Sequence, residues 1–481
     1  MDIFNRVIRE IDSIIWGVPL IVLILFCGIW LTIRLKGVQF HKLGLALRYM
    51  VSPEKQGQGE VSAFAALCTA LSATIGTGNI VGVATAIAAG GPGALFWMEV
   101  AALFGMATKY AEGLLAVKYR TPDAQGQMLG GPFYYIEKGM GKQWKWLAKL
   151  FAVFALLAGI MGIGTITQIN GITEAATNFF DPQRLHTVSL FGMEYTYVQM
   201  IVGAVITLLV ALIIIGGIKR IATVSEILVP AMVVVYVCCC LLMIGLHIKE
   251  IPGAFRTIFE SAFGLRAVAG GALGAVFSSM QSGVARGIFS NEAGLGSAPI
   301  AAAAAKTSEP ARQGLITMTG TFIDTIIVCT MTGLAIVMSG CLERDPSLQG
   351  VEITTSAFQY GLPFPETISA LILMICLVFF AFTTILGWNY YSERCLSYLS
   401  GANKTATRCY RWLYIAAVFI GPYLTVEAVW NLADICNGLM ALPNITALLV
   451  LSGVVASETK EYFQSLTPPK KANTRRKKET S

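Results

Sequence analysis

The chain has 481 residues, of which 55% are hydrophobic and only 13% charged, and it carries a formal net charge of +7. A mean hydropathy of +0.66 excludes an ordinary water-soluble globule, in which about a quarter of the residues are charged. Forty-eight glycines do not signify disorder here, because disordered chains are charged and poor in apolar residues; this is the composition of an all-α polytopic membrane protein.

The first apolar run, Ile14 to Leu35, is longer than a signal-peptide core and has no small-residue cleavage site before Arg34 and Lys36, so a retained span is expected. Crossing the bilayer takes about 20 apolar residues. Eleven segments qualify, at about 14–35, 62–90, 92–117, 147–179, 198–218, 221–247, 267–304, 314–340, 366–399, 408–426 and 430–456 (spans 1 to 11). With the N-terminus outside, 26 of the 35 Lys and Arg fall on the inner side, seven on the outer side, and two, Lys109 and Arg286, within spans. Because Lys and Arg accumulate in cytoplasmic segments, the N-terminus is expected outside and the C-terminus inside the plasma membrane, which is the inner membrane of a bacterium.

Span 2 is interrupted halfway by Ser72-Ala73-Thr74-Ile75-Gly76-Thr77-Gly78-Asn79, and span 7 by Ser278-Ser279-Met280-Gln281-Ser282-Gly283-Val284-Ala285-Arg286-Gly287. Unsatisfied backbone in hydrocarbon costs several kcal/mol per group, so an opening at membrane depth needs protein or a water-filled cavity to supply partners. A helix that opens offers free N–H groups to an anion and free carbonyls to a cation. Taken singly, such glycines serve close helix packing. Two interruptions five spans apart, in oppositely running spans, instead point to a five-plus-five inverted repeat with two discontinuous helices. The expected organisation is span 1 with its loop (1–60), a first repeat of spans 2–6 (61–250), a second of spans 7–11 (251–457) and a basic tail (458–481). That tail suits anionic lipid headgroups of the bilayer better than nucleic acid.

Span 4 carries Thr165, Thr167, Gln168 and Asn170, and span 9 carries Thr383 and Thr384 among phenylalanines, followed by Trp388 and Asn389. Uncharged amides and hydroxyls can bind a zwitterion or an alkali ion, or they can simply bond neighbouring helices. The charged residues inside spans are Glu99, Lys109, Glu112, Glu174, Glu226, Arg286, Glu292, Asp324, Glu427 and Asp434. Arg286 and Glu292 are expected in a gate or a structural ion pair rather than on substrate. The 11 cysteines lack disulfide or metal spacing, the three histidines fall in loops or at span ends, and no phosphate-binding glycine-lysine loop is present. Neither an enzyme nor an ATP-driven pump is expected, and no organic cofactor.

Five stretches carry a family resemblance: Ile75-Gly76-Thr77-Gly78-Asn79-Ile80, Ala89-Gly90-Gly91-Pro92-Gly93-Ala94, Gly130-Gly131-Pro132, Phe289-Ser290-Asn291-Glu292-Ala293-Gly294-Leu295-Gly296-Ser297-Ala298-Pro299, and Asn431-Leu432-Ala433-Asp434 with Pro443-Asn444. In them the chain resembles the alanine or glycine:cation symporters, also called the sodium:alanine symporter family. The resemblance implies a leucine-transporter-type fold and uptake of alanine, glycine or another small neutral amino acid with Na+ as the coupling ion. It would set the substrate carboxylate on the amides of Thr77 and Gly78 beside Gly76, with Thr74 and Asn79 adjacent and Gln168, Asn170, Gln281 and Trp388 lining the pocket. Sodium would take carbonyls near Ser72 and Ile75 and the hydroxyls of Thr383 and Thr384. The rival readings are a proton-coupled carrier of the same fold for another small solute and an ion channel.

Overall fold

The structure is a computed structural model that describes residues 2–52, 54, 57–123, 126–190, 193–264, 272–424 and 426–466. The basic tail from residue 467, the opening residues 267–271 of span 7 and the side chain of Glu427 lie outside the described residues. The first expected span divides into two helices, Asp2–Ile15 and Val18–Arg34, with the turn between them pinned by Trp16 Nε1 donating to the Asp434 carbonyl at 2.7 Å.

Span 2 starts at a Ser62 cap, whose hydroxyl accepts from the Ala65 amide at 2.9 Å. It runs as Ala63–Thr74, opens, and resumes as a π-helical turn, Gly78–Gly82, leading into Val83–Gly90; the two arms are bent by 53°. Span 3, Gly93–Lys118, is the most enclosed of the span-length helices among the described residues and packs against spans 1, 7 and 8. Spans 5 (Tyr197–Ile214) and 6 (Ile218–Leu246) lie at the periphery, with Ile201, Leu208, Ile227 and Val234 turned outward where lipid would meet them.

Two spans depart from expectation. Span 4 is not one helix over 147–179: it breaks at 162–165 between Lys145–Met161 and Ile166–Phe180. The break lies close against span 9, where a Cβ added at Gly164 would lie 2.5 Å from Trp388 Cβ. Span 7 runs unbroken as Ala272–Asn291, straight through the polar stretch 278–287, and opens one to two turns later at 292–297 before the short helix Ala298–Ala302. Gly283 and Gly287 are therefore packing positions, where a Cβ would collide with the Ala94 carbonyl or lie 3.0 Å from Met98 Cγ of span 3. The real opening has Glu292 at φ +55°, Gly294 at +91° and Gly296 at +82°, a run of left-handed backbone that no helix sustains.

Span 8 comprises Pro310–Thr321, a π-helical stretch Phe322–Cys329 and Thr330–Ser339; span 9 is the 35-residue helix Glu366–Ser400. Span 10 is Lys404–Ile420, and span 11 is Val426–Val450 with a bent continuation, Ser452–Ser465. Among the described residues six helices are long and apolar enough to cross a bilayer, or eight if each of two bent pairs is one span. The other expected spans fall on Val18–Arg34, Ala272–Asn291 and Lys404–Ile420, which are shorter or more polar.

The segment before span 2 and the segment after span 7 are joined. Gln58 bridges to Thr307 and Val61 to Ala305, and the Arg120 guanidinium donates to the carbonyls of Gln58, Ala303, Ala305 and Thr307 at 2.5 to 2.8 Å. One side chain thus fastens the two discontinuous helices to the end of span 3.

Candidate functional site

The opening in span 2 arises because Ile75 leaves the helical region, at φ −77° and ψ 94°. The amides that would have continued the helix turn elsewhere: Gly76 N donates to Asn79 Oδ1 at 3.0 Å and Thr77 N to Gln168 Oε1 at 3.1 Å. The carbonyls of Ser72 and Ala73 thereby lose their helical donors, and Gly78 N, at the head of the second arm, has no acceptor one turn back. Two amides at the site already hold neutral side-chain oxygens, which is how a helix N-terminus accommodates an acceptor and, more strongly, an anion. Thr77 Oγ1 is buried without a hydrogen-bond partner among the described residues, a costly state unless a ligand completes it.

On the carbonyl side, Thr384 Oγ1 lies 3.2 Å from the Ile75 carbonyl and 3.0 Å from that of Phe380. Span 9 approaches span 2 closely here, a Cβ at Gly387 falling 2.7 Å from Ala73 N. The hydroxyls of Ser72 and Thr74 bond within their own turn, to the carbonyls of Thr69 at 2.8 Å and Leu71 at 3.3 Å. Thr383 is turned toward span 6, bonding the Phe380 carbonyl at 3.0 Å with Met232 Sδ at 3.6 Å. Of the four residues expected around sodium, the fold brings Ile75 and Thr384 into direct contact, and Ser72 adds a freed carbonyl below them.

The remaining expected residues separate. Gln168 sits at the opening through its contact with Thr77, and Nε2 of the same amide donates to the Ile163 carbonyl of the broken span 4 at 3.0 Å. Asn170 donates to the Gly421 carbonyl at 3.0 Å and lines, with Thr77, Gly171, Glu174 and Arg184, a 460 Å³ cavity that reaches the opening from the end of the bundle where span 4 finishes. Trp388 is fully buried, and its indole donates to Glu292 Oε1 at 2.8 Å, so it braces the span 7 opening. Gln281 is exposed on the unbroken part of span 7 and does not line the site, because the break lies elsewhere.

Arg286 and Glu292 have different partners among the described residues. Arg286 reaches Asp434 at 3.5 Å, whereas Glu292 accepts from Trp388 and from the Ser297 hydroxyl. Sequence reasoning singled out Asn79 and Asp324 separately but not the contact through which they join the two openings. Asn79 Nδ2 donates to Asp324 Oδ1 at 2.9 Å; Ser290 and Thr325 donate to Asp324 Oδ2 at 2.9 and 2.7 Å. Asp324, buried in span 8, therefore links the span 2 opening to the end of the span 7 helix. The available signal was a lone carboxylate in an apolar span. At the end of the bundle where span 2 begins, Glu60 and Arg394 form a largely buried pair at 3.2 Å between the segment before span 2 and the end of span 9.

A helical bundle in which one buried helix opens to present amides and carbonyls, with a second open helix beside it, is the architecture of a leucine-transporter-type secondary transporter. By its sequence the chain belongs to the sodium:alanine symporter family, whose description matches residues 1–477. It is 46% identical over 466 residues to the sodium/alanine symporter AgcS of Methanococcus maripaludis, a match covering 95% of this chain and 97% of that one. It is 54% identical over 463 residues to an uncharacterised transporter of Haemophilus influenzae, covering 96% and 97%. The crystal structure of MhsT in complex with L-phenylalanine superposes with a TM-score of 0.52 at 15% identity, over 85% of this chain and all of that one. The fold class and the family expectation are borne out: this is a multi-pass membrane protein and a sodium-coupled amino acid symporter.

Proposed function

We propose that the chain carries alanine, glycine or a similarly small neutral amino acid into the cell together with sodium. The observation that carries this reading is the pairing, over four consecutive residues, of amides at Gly76, Thr77 and Gly78 able to donate to an anionic group with a carbonyl at Ile75 facing the Thr384 hydroxyl. The substrate carboxylate takes the amides in place of the Gln168 oxygen and satisfies Thr77 Oγ1; sodium takes the carbonyl end. Little room is left beside this point, since a Cβ at Gly76 would lie 2.5 Å from Thr384 Oγ1 and 3.0 Å from Gln168 Oε1, which favours a small side chain.

Spans 2–6 and 7–11 act as the two repeats of an eleven-span chain whose N-terminus is outside. In that orientation the 460 Å³ cavity is the outer vestibule, and the Glu60–Arg394 pair with the Arg120 clamp closes the inner end. Each ligand orders the same opened segment, so each raises the affinity for the other by the same factor. Release inward requires the pair and the clamp to part as spans 2 and 7 rock together.

The test is uptake of labelled alanine into proteoliposomes with and without a sodium gradient, with L- and D-alanine, glycine, serine and glutamine as competitors. Equal uptake in both conditions overturns sodium coupling, and competition by glutamine as strong as by alanine overturns the small pocket. The buried Asp324 carboxylate between the openings favours, as a second reading, a proton in the coupling role; uptake driven by a pH gradient without sodium would identify it.

A further inference from the structure

Away from the transport site, the end of the Val18–Arg34 helix, the turn after it and the Ser452–Ser465 helix enclose a cavity of 680 Å³. Its lining divides by chemistry. Arg34, Lys36, Lys42 and Lys460 bring four cations, with His41 beside them, and among the described residues no carboxylate lines the cavity. Leu35, Val38, Ala456 and Phe463 form an apolar wall. Two of the cations rest against aromatic rings: Arg34 lies 5.2 Å from the Trp30 ring centre and Lys42 4.9 Å from that of Phe463. Among the described residues, none of the four makes an ion pair.

The position adds the second half of the argument. Arg34 ends an apolar 17-residue helix whose outward face, Val22, Phe26, Ile29 and Ile33, is exposed for lipid, so the cavity mouth stands at the level where acyl chains meet headgroups. Trp30, hydrogen-bonded to Ser452 Oγ at 3.3 Å, has the amphipathic ring that favours this level. Four like charges converging on one concavity repel one another unless an anion joins them, and the tail that follows Leu466 is itself basic and cannot serve. A free phosphate would satisfy the cations and leave the apolar wall wet; a phosphate carrying acyl chains satisfies both.

We propose that this cavity is a binding site for an anionic glycerophospholipid, its headgroup phosphate held by Arg34, Lys36, Lys42 and Lys460 and its chains running along the Leu35, Val38 and Phe463 wall. The site lies at the edge of the second proposed repeat, between the peripheral first helix and the last helix, on the face that the proposed orientation makes cytoplasmic. It therefore couples the stability of the peripheral first helix and the last helix to the charge of the inner leaflet.

The experiment uses the full chain in nanodiscs of phosphatidylcholine containing trace spin-labelled phosphatidylglycerol or spin-labelled phosphatidylcholine. Each cation at an anionic surface contributes a factor of about five. The Lys36→Gln/Lys42→Gln/Lys460→Gln variant should accordingly lose nearly all preference for phosphatidylglycerol, while Asp345→Asn, a distant charge change, should keep it. Ala456→Trp should abolish the preference with every charge intact, by filling the cavity. Equal preference in wild type and both site variants overturns the proposal. Displacement of the labelled lipid by millimolar inorganic phosphate at constant ionic strength overturns the lipid assignment in favour of a free-phosphate site. Thermal unfolding in pure phosphatidylcholine, expected to match wild type for both variants, separates loss of the site from loss of the fold.

Discussion

Replacing Thr384 by Val removes one hydroxyl and keeps the shape of a side chain that is 1% exposed. Without ligands, that hydroxyl contributes hydrogen bonds to the Ile75 and Phe380 carbonyls at 3.2 and 3.0 Å, together about 1 kcal/mol or a little more. The loss is small against a total stability of about 5–15 kcal/mol, so the variant should fold and insert. With sodium bound the same oxygen faces a full charge, and a bond to a charged group contributes about 1.5–3 kcal/mol. At about 1.4 kcal/mol per tenfold, the half-saturating sodium concentration should rise about 10- to 150-fold. Alanine uptake into proteoliposomes, titrated with sodium at saturating alanine, measures it directly. Reciprocity adds that at low sodium the apparent alanine affinity falls, while at saturating sodium it recovers. Thr383→Val, whose hydroxyl points toward Met232, should shift the sodium dependence less. An unchanged sodium dependence in a well-folded Thr384→Val protein refutes the placement of the ion.

Gly78→Leu should abolish uptake while the protein still inserts, because a Cβ there already lies 3.2 Å from Ser290 Cα and 3.4 Å from Phe289 Cδ1; uptake near wild type, at equal amounts in the membrane, removes the amide cradle from the mechanism. Asp324→Asn keeps the shape but weakens two hydroxyl bonds to a carboxylate by about 1 kcal/mol or more each, so uptake should fall at least about tenfold; normal uptake would mean that the two openings are not joined through span 8. Arg394→Met leaves Glu60, whose side chain is 9% exposed, without its counter-charge and should lower the unfolding temperature by the equivalent of about 3–5 kcal/mol. Glu60→Gln added to it should restore most of that loss, and a double variant no better than the single one argues against the pair.

The glycines show how far pattern alone carries. In span 2, Gly76 and Gly78 were legible as an opening because serine, threonine and asparagine accompany them at mid-depth, and such groups need partners wherever they fall. In span 7 the same criterion chose 278–287, yet Ser278, Ser279 and Gln281 lie on a continuous helix and Gly283 packs under the Ala94 carbonyl. The segment that opens, Glu292 to Gly296, was quoted for its family likeness and not for its backbone. A glycine that admits a neighbouring helix and one that admits a left-handed turn read identically in one dimension. Span 4 makes the same point, because Gly164 at its break admits Trp388 from more than 200 residues away.

Composition, the spacing of apolar runs and the polar groups at mid-depth were sufficient for a membrane bundle with a broken second span, since hydrocarbon imposes those terms on every segment locally. The threonine pair of span 9 could be nominated on the same ground, as polar groups at depth. Which of the two faces the ion site was decided by packing, which turns Thr384 to Ile75 and Thr383 to Met232. So were the partners of the buried charges: Arg286 with Asp434, Glu292 with Trp388, Asp324 with Asn79 and Ser290. In each case the contact joins residues brought together by packing rather than by helical spacing, and its energy depends on a distance that only the assembled bundle sets.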